Sequence, residues 1–219
     1  EWHELRDDLR HPREALQGRI RVFCSVTASY FLLPEVLGRF RHRYPQLELK
    51  LETGDAALAV DKVLREETDI AIAARPDALP ARLQYCLLQR VPLVFIAPRS
   101  STNVSQWLKD GEPDWSQVPL IVSQQGLSRK RCDQWFRNKG ISPNIYAEVA
   151  GNEAIVSMVT LDCGIGLVPE AVIEHSPLGS QVRVIQPVPA LKPFEVGFCV
   201  LKRRLDEPLI QAFWQMVQQ

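Results

Sequence analysis

The chain has 219 residues, 46% of them hydrophobic, which is enough for one large domain or two modest lobes with real cores. Its 26 Lys plus Arg balance 26 Asp plus Glu, so no overall basic field draws it onto nucleic acid or an acidic membrane, and any DNA contact must come from elsewhere. No apolar run approaches the ~18 residues of a membrane span, and the amino end lacks a signal-peptide core, which predicts a cytoplasmic protein with no membrane partner.

Residues 19–26 place Ile20, Val22, Cys24 and Val26 on one side and Arg19, Arg21, Phe23 and Ser25 on the other, the period of a strand that starts at Gly18. From Tyr30 onward Leu33, Val36, Leu37, Phe40 and Tyr44 take helical spacing, with Pro34 tolerated in the first turn and Pro45 closing the end. Residues 47–53 alternate again, predicting Leu47, Leu49 and Leu51 inward; Gly54-Asp55 then turns the chain and caps a second helix carrying Leu58, Val60, Val63 and Leu64. Asp69-Ile70-Ala71-Ile72-Ala73 is a third short strand. This order demands a parallel sheet with helices on its faces, because only a crossover helix connects parallel neighbours.

Strand-like residues 83–88 and 92–97 follow, then a polar, irregular excursion over 98–116 that Trp107 and Trp115 are expected to anchor. The alternation then restarts: strand 119–122, helix 129–139, strand 145–149, helix 152–162 and strand 165–168. Residues 181–185 and 194–201 read as further strands, and 208–217 as a terminal amphipathic helix with Leu209, Ala212, Phe213 and Met216 inward. If the last strand and helix return to the first lobe, the chain crosses twice, near residues 91–95 and 193–198, and forms a hinge. The predicted class is α/β: two Rossmann-like lobes joined by two crossover strands.

Open α/β sheets bind ligands beyond the carboxyl ends of their strands, where helix N-termini present free N–H groups. Polar residues recur at these positions: Ser25-Val26-Thr27-Ala28-Ser29, Thr53-Gly54-Asp55, Ala74-Arg75, Ser123-Gln124-Gln125-Gly126 and Gly151-Asn152-Glu153. Capping alone accounts for Asp55, Ser128 and Asn152. Ser25, Thr27 and Ser123 stand out as ligand contacts, since helix tips from two lobes facing one cleft make a site for a small anion. Arg129 and Arg131, in the first turn after Gln125-Gly126, are candidates to reach a carboxylate there.

Other chemistry is weaker. Cys24, Cys86, Cys132, Cys163 and Cys199 are odd in number, far apart and without a C-x-x-C, which argues for reduced thiols and against a disulfide frame or structural zinc. His3, His11, His42 and His175 fall in no metal-binding spacing, so neither a metal nor another cofactor is expected. Gly164-Ile165-Gly166 reads as a turn between helix and strand, and the basic clusters Arg39–Arg43 and Arg129–Arg131 read as solvated faces. There is no G-x-S-x-G elbow, no P-loop and no visible acid–base pair, so no catalysis is expected.

Several phrases in order resemble the effector-binding domain of LysR-type transcriptional regulators. They are Gly18-Arg19-Ile20-Arg21-Val22, Leu33-Pro34-x-x-Leu37-x-x-Phe40 with Tyr44-Pro45, and Thr53-Gly54 with Thr68-Asp69-Ile70-Ala71-Ile72. Glu153-Ala154-Ile155-Val156-Ser157-Met158-Val159 and Gly164-Ile165-Gly166-Leu167-Val168-Pro169 complete the set. Phe23-Cys24-Ser25-Val26-Thr27-Ala28, Thr53-Gly54-Asp55-Ala56-Ala57, Trp135-Phe136-Arg137 and Glu207-Pro208-Leu209-Ile210 resemble more closely the family's activators of branched-chain amino acid synthesis.

The resemblance implies a periplasmic-binding-protein type II-like plan, with residues 1–17 as the end of a linker helix, 18–91 and 194–219 as one regulatory lobe, and 92–193 as the other. It implies acetolactate or acetohydroxybutyrate as effector, held by Ser25, Thr27, Thr53 and Ser123, with Gln124, Asn152 and Glu153 as second choices and Ala28, Gly54 and Gln125 beside them. Glu153 is the awkward member, because an ionised carboxylate repels an anionic ligand unless it accepts a bond from the ligand's hydroxyl or pairs with an Arg. A homodimer is implied, tetrameric at full length, meeting DNA and RNA polymerase only through a DNA-binding domain that this fragment lacks. The main rivals are a periplasmic solute-binding protein for a small organic anion and an enzyme on a similar fold.

Overall fold

The computed structural model describes residues 16–109 and 112–218. Residues 1–15, most of the expected linker tail, lie outside the described residues. One sheet contains β1 (Gly18–Cys24), β2 (Leu47–Thr53), β3 (Ile70–Ala74), β4 (Leu83–Val91) and β12 (Phe194–Leu201) in the order β2-β1-β3-β12-β4. The other contains β5 (Leu93–Pro98), β8 (Pro119–Ser123), β9 (Asn144–Val149), β10 (Ile165–Pro169) and β11 (Val182–Ile185) in the order β11-β5-β10-β8-β9. The short β6 (Leu108–Lys109) and β7 (Glu112–Pro113) pair with each other. Parallel strands β2, β1 and β3, and likewise β9, β8 and β10, are completed by antiparallel strands, so both sheets are mixed.

The chain passes from sheet to sheet at Pro92, between β4 and β5, and again between β11 and β12. Val91 pairs with Phe194 where the two passages run side by side. The expected pair of crossings is therefore present, as two antiparallel strands.

Seven helices cover the sheets among the described residues: α1 (Val26–Phe31), α2 (Leu33–Arg43), α3 (Ala59–Leu64), α4 (Gly126–Lys139), α5 (Asn152–Thr160), α6 (Glu170–His175) and α7 (Pro208–Val217). In the first sheet Ile20, Val22 and Cys24 face α1, α2 and α7, while Phe23, Ala71 and Ala73 face α3. In the second, Leu93, Phe95 and Ala97 face α4, while Val94 and Ile96 face α5 and α6. Every residue of β5 is buried, as a strand covered on both faces requires. Trp107 and Trp115 pack onto this second core and anchor the excursion, Trp115 with its ring 4.5 Å from Phe95.

Four details differ from the sequence pattern. Leu49 and Leu51 lie opposite Ile20 and Val22 but remain 36% and 41% exposed, because β2 is an edge strand that α2 does not cover. A groove of about 600 Å³ is left between them, lined by Leu37, Tyr44 and Leu49 among others. The first helix begins directly after Ser25, whose hydroxyl oxygen accepts from the Ala28 N–H at 3.2 Å; it breaks at Leu32 before Pro34, where one helix from Tyr30 was expected. On α7 the buried face is Ile210, Phe213, Trp214 and Val217 with Ala212 and Met216, and Leu209 instead lies over Gly18. The helix α6, which begins at the Pro169 that ends β10, has no counterpart in the sequence pattern.

Two carboxylates pin loops. Asp162, at φ 59°, accepts from the Ser101 hydroxyl and the N–H groups of Thr102, Asn103 and Val104, tying the excursion to the turn after α5. Burial alone would raise its pKa, but these bonds outweigh it and hold the group at about 2.

Asp69, only 6% exposed, accepts from the Arg21 N–H at 2.7 Å, from the Arg21 guanidinium at 2.7 Å and from Arg204 at 2.7 Å. Burial opposes its ionisation, yet the bonds from both arginines win and hold it below the ordinary 3.8. Its pKa is lower folded than unfolded, so its stabilisation is present above pH ~4 and is lost as pH falls through the folded value. Asp69→Ala should lower unfolding free energy at pH 7 by roughly 3 kcal/mol in denaturant titrations, with a smaller deficit at pH 3; equal deficits at both pH values would contradict this account.

Candidate functional site

The carboxyl ends of β1, β2 and β3 meet those of β8 and β9 across a seam between the sheets. Thr27, in the first turn of α1 and 6% exposed, faces Glu153 in the first turn of α5. Glu153 Oε1 accepts from the Thr27 N–H at 3.1 Å and from its hydroxyl at 2.7 Å. The carboxylate is thus satisfied by neutral donors of the opposite lobe.

Three further contacts bridge the seam. Gln125 donates to Asp55 Oδ2 at 3.4 Å. Asp77 accepts from Arg131 and from Lys192, each at 3.0 Å, and these two cations hold its pKa below 3.8. Phe31 stacks on His175 with ring centroids 4.8 Å apart. Backbone geometry also matters here: Gly126 has φ 82°, and a Cβ on it would stand 2.6 Å from the Cβ of Ala57. Only glycine permits this approach of the α4 tip to the opposite lobe.

Between these contacts lies a cavity of about 410 Å³. One wall carries Asp55, Asp61 and Asp77, and the facing wall carries Ser123, Gln125, Ser128, Lys130 and Asn152. The size suits a small metabolite. Of the residues singled out in sequence, Ser123, Gln125 and Asn152 line this cavity, and Thr27 meets Glu153 in the same seam.

The others are placed less directly. Ser25 caps α1, and Ala28 is buried with its N–H spent on that cap. Thr53 is exposed at the end of β2, Gly54 donates its N–H to Cys24 at 3.1 Å, and Gln124 is exposed with its N–H bonded to Val149 at 2.9 Å. None of these five lines the cavity.

The capping assignments change as well. Asp55 does cap, accepting from the Ala57 N–H at 3.0 Å, and it lines the cavity too. Asn152 is the first residue of α5, capped by Gly151, and Ser128 sits inside α4, whose cap is Gln125. Arg129 is held by Glu148 at 2.6 Å and Asp133 at 2.9 Å, away from the cavity wall. Asp77 and Lys130 were missed. Asp77 follows the carboxyl end of β3 by three residues, and that strand-end position is the signal that could have found it.

Cys24, Cys132 and Cys199 are buried free thiols, and burial pushes Cys24 up to about 11 and the other two to about 12. Gly164 forms the turn before β10, packed against the Pro119 carbonyl. Among the described residues no His, Cys, Asp or Glu group gathers as a metal site, and no helix is long and apolar enough to cross a membrane.

Two mixed-sheet lobes with a polar cavity at their seam define a ligand-binding domain, and residues 13–219 match the model of the LysR substrate-binding domain, the family to which this chain belongs. It is 44% identical over 220 residues to the HTH-type transcriptional activator IlvY of Salmonella typhimurium, covering 99% of this chain and 75% of that protein. The HTH-type transcriptional regulator IlvY of Escherichia coli is likewise 44% identical, with 99% and 74% covered. The effector-binding domain of QuiR in complex with shikimate shares the fold, with TM-score 0.75 at 19% identity over 92% of this chain and 96% of that one. The reading as an effector-binding domain of a transcriptional activator therefore stands over that of a transport receptor.

Gly126→Ala should push the α4 tip off Ala57 and cost about 1 kcal/mol or more from the left-handed backbone alone. Small-angle scattering of this variant should show a larger radius of gyration; an unchanged value together with unchanged stability would refute the close-approach argument.

Proposed function

We propose that this domain senses acetolactate or acetohydroxybutyrate in the seam between its lobes and so controls genes of branched-chain amino acid synthesis. The observation that carries the reading is the 44% identity to IlvY activators over 99% of the chain, joined to the resemblance that implies those effectors. The chemistry agrees. Each effector carries a carboxylate, a tertiary hydroxyl and a ketone, matched by the donors of Thr27, Ser123, Gln125, Asn152 and Lys130, with Asp55 able to accept from the hydroxyl. Ser25, Ala28, Thr53, Gly54 and Gln124 support the strand ends that carry these groups.

The lobes follow the crossings: residues 18–91 and 194–219 form one and 92–193 the other. An effector touching both stabilises one lobe arrangement over another, and ~1.4 kcal/mol of differential affinity changes their ratio tenfold. That change passes through a homodimer in the cytoplasm to the DNA-binding part of the full-length protein. The domain binds its ligand and does not turn it over.

Calorimetric titration should find acetolactate bound, with pyruvate and valine much weaker. Thr27→Val removes a hydroxyl donor to a charged group and should weaken acetolactate by roughly ten- to hundredfold, from the ~1.5–3 kcal/mol typical of such bonds. An unchanged Kd would remove Thr27 from the site.

A further inference from the structure

We propose that Glu153 is a tethered competitor of the effector: its carboxylate occupies the donors that an incoming carboxylate must take. The proposal rests on the reading above that the seam receives a carboxylate effector. Its basis is the geometry of one contact. Glu153 Oε1 accepts both the N–H of Thr27 at 3.1 Å and its hydroxyl at 2.7 Å, across 126 residues of sequence and from the opposite lobe.

Glu153 makes no ion pair among the described residues. Of the basic residues at the start of α4, Arg131 pairs with Asp77 and Arg129 with Glu148 and Asp133, while Lys130 lines the cavity without an ion pair to Glu153. Its other oxygen turns back toward Gly151, 3.6 Å from where a Cβ on that residue would lie. Gly151 and Asn152 are themselves cavity wall, so the contact stands beside the cavity rather than in a remote core.

A side-chain carboxylate on neutral donors is chemically what a bound carboxylic acid ligand would be. Held by its own backbone, it competes as an intramolecular group at high effective concentration. If the Thr27 donors are free about one-tenth of the time, apparent affinity for a free carboxylate drops about tenfold. The same bonds join α1 to α5, so releasing them loosens the seam at the moment a ligand enters. A weak carboxylate such as a bare monoacid fails to displace Glu153. A ligand with further hydroxyl and carbonyl contacts in the cavity can do so, which makes Glu153 a residue that sets both threshold and selectivity.

The test uses the isotopically labelled chain and follows the Thr27 amide by NMR during titration with acetate, a bare carboxylate probe. The Thr27 signal should respond at about tenfold lower acetate in Glu153→Ala than in the wild type, with Glu153→Gln between them. Glu153→Gln keeps the shape and carries the test if the alanine variant does not fold. Glu148→Gln, which removes the same charge away from the cavity, should leave the midpoint unchanged. Equal midpoints for wild type and both Glu153 variants, or no Thr27 response in any of them, would overturn the inference.

Acetolactate, titrated in parallel, separates the two claims. If it binds none of these proteins while acetate still distinguishes them, the effector assignment fails and the competitor role stands. If it binds the wild type and weakens in Glu153→Ala, Glu153 is a ligand contact and the competitor role is wrong.

Discussion

Two sheets joined by only two strands have no shared core wide enough to fix their relation, so what faces what across the seam decides it. The bonds from Thr27 to Glu153 are the centre of that relation. Around them Gln125 with Asp55, Arg131 with Asp77, and Phe31 on His175 add separate points of attachment. Each is a polar or aromatic contact of modest worth, unlike the apolar cores on either side, where a single fully buried phenylalanine such as Phe95 contributes on the order of 2 kcal/mol. The contacts across the seam are therefore weaker than the cores they join. Under the proposed function, that inequality lets a small ligand favour one arrangement of the lobes without unfolding either.

Much of the fold was legible because hydrophobic period and punctuation agree. Ile20, Val22 and Cys24 repeat every second residue and form β1; Leu33, Val36 and Phe40 follow helical spacing and form the buried side of α2. The restart after the excursion made the second lobe readable in the same way. What failed did so for tertiary reasons. Leu49 and Leu51 carry the pattern of a covered strand, and only the sheet order reveals that nothing covers β2. Leu209 has an inward-facing spacing but is displaced by Ile210 and Trp214, since α7 is buried over a broader arc than one stripe.

The site was legible in outline and not in its pairings. The rule that ligands gather at strand ends led to Ser123, Gln125, Asn152 and Thr27, all of which lie along the seam. It could not separate a serine that caps its own helix, as Ser25 does, from one that lines the cavity, as Ser123 does. Nor could it show that Glu153 answers to Thr27, because 126 residues separate them and the match depends on how two independent bodies dock. The acidic wall was hidden for a similar reason: Asp55 had a sufficient local role as a cap, and its second role exists only in three dimensions.

The bare border at β2 has a consequence of its own. An outermost strand offers a ladder of unspent main-chain groups to any stray extended peptide, the usual beginning of aggregation. Here Glu48, Lys50 and Glu52 stand along that margin in alternation with the leucines. Charge on every second residue makes casual strand addition costly, so the margin can stay open to solvent without recruiting stray strands.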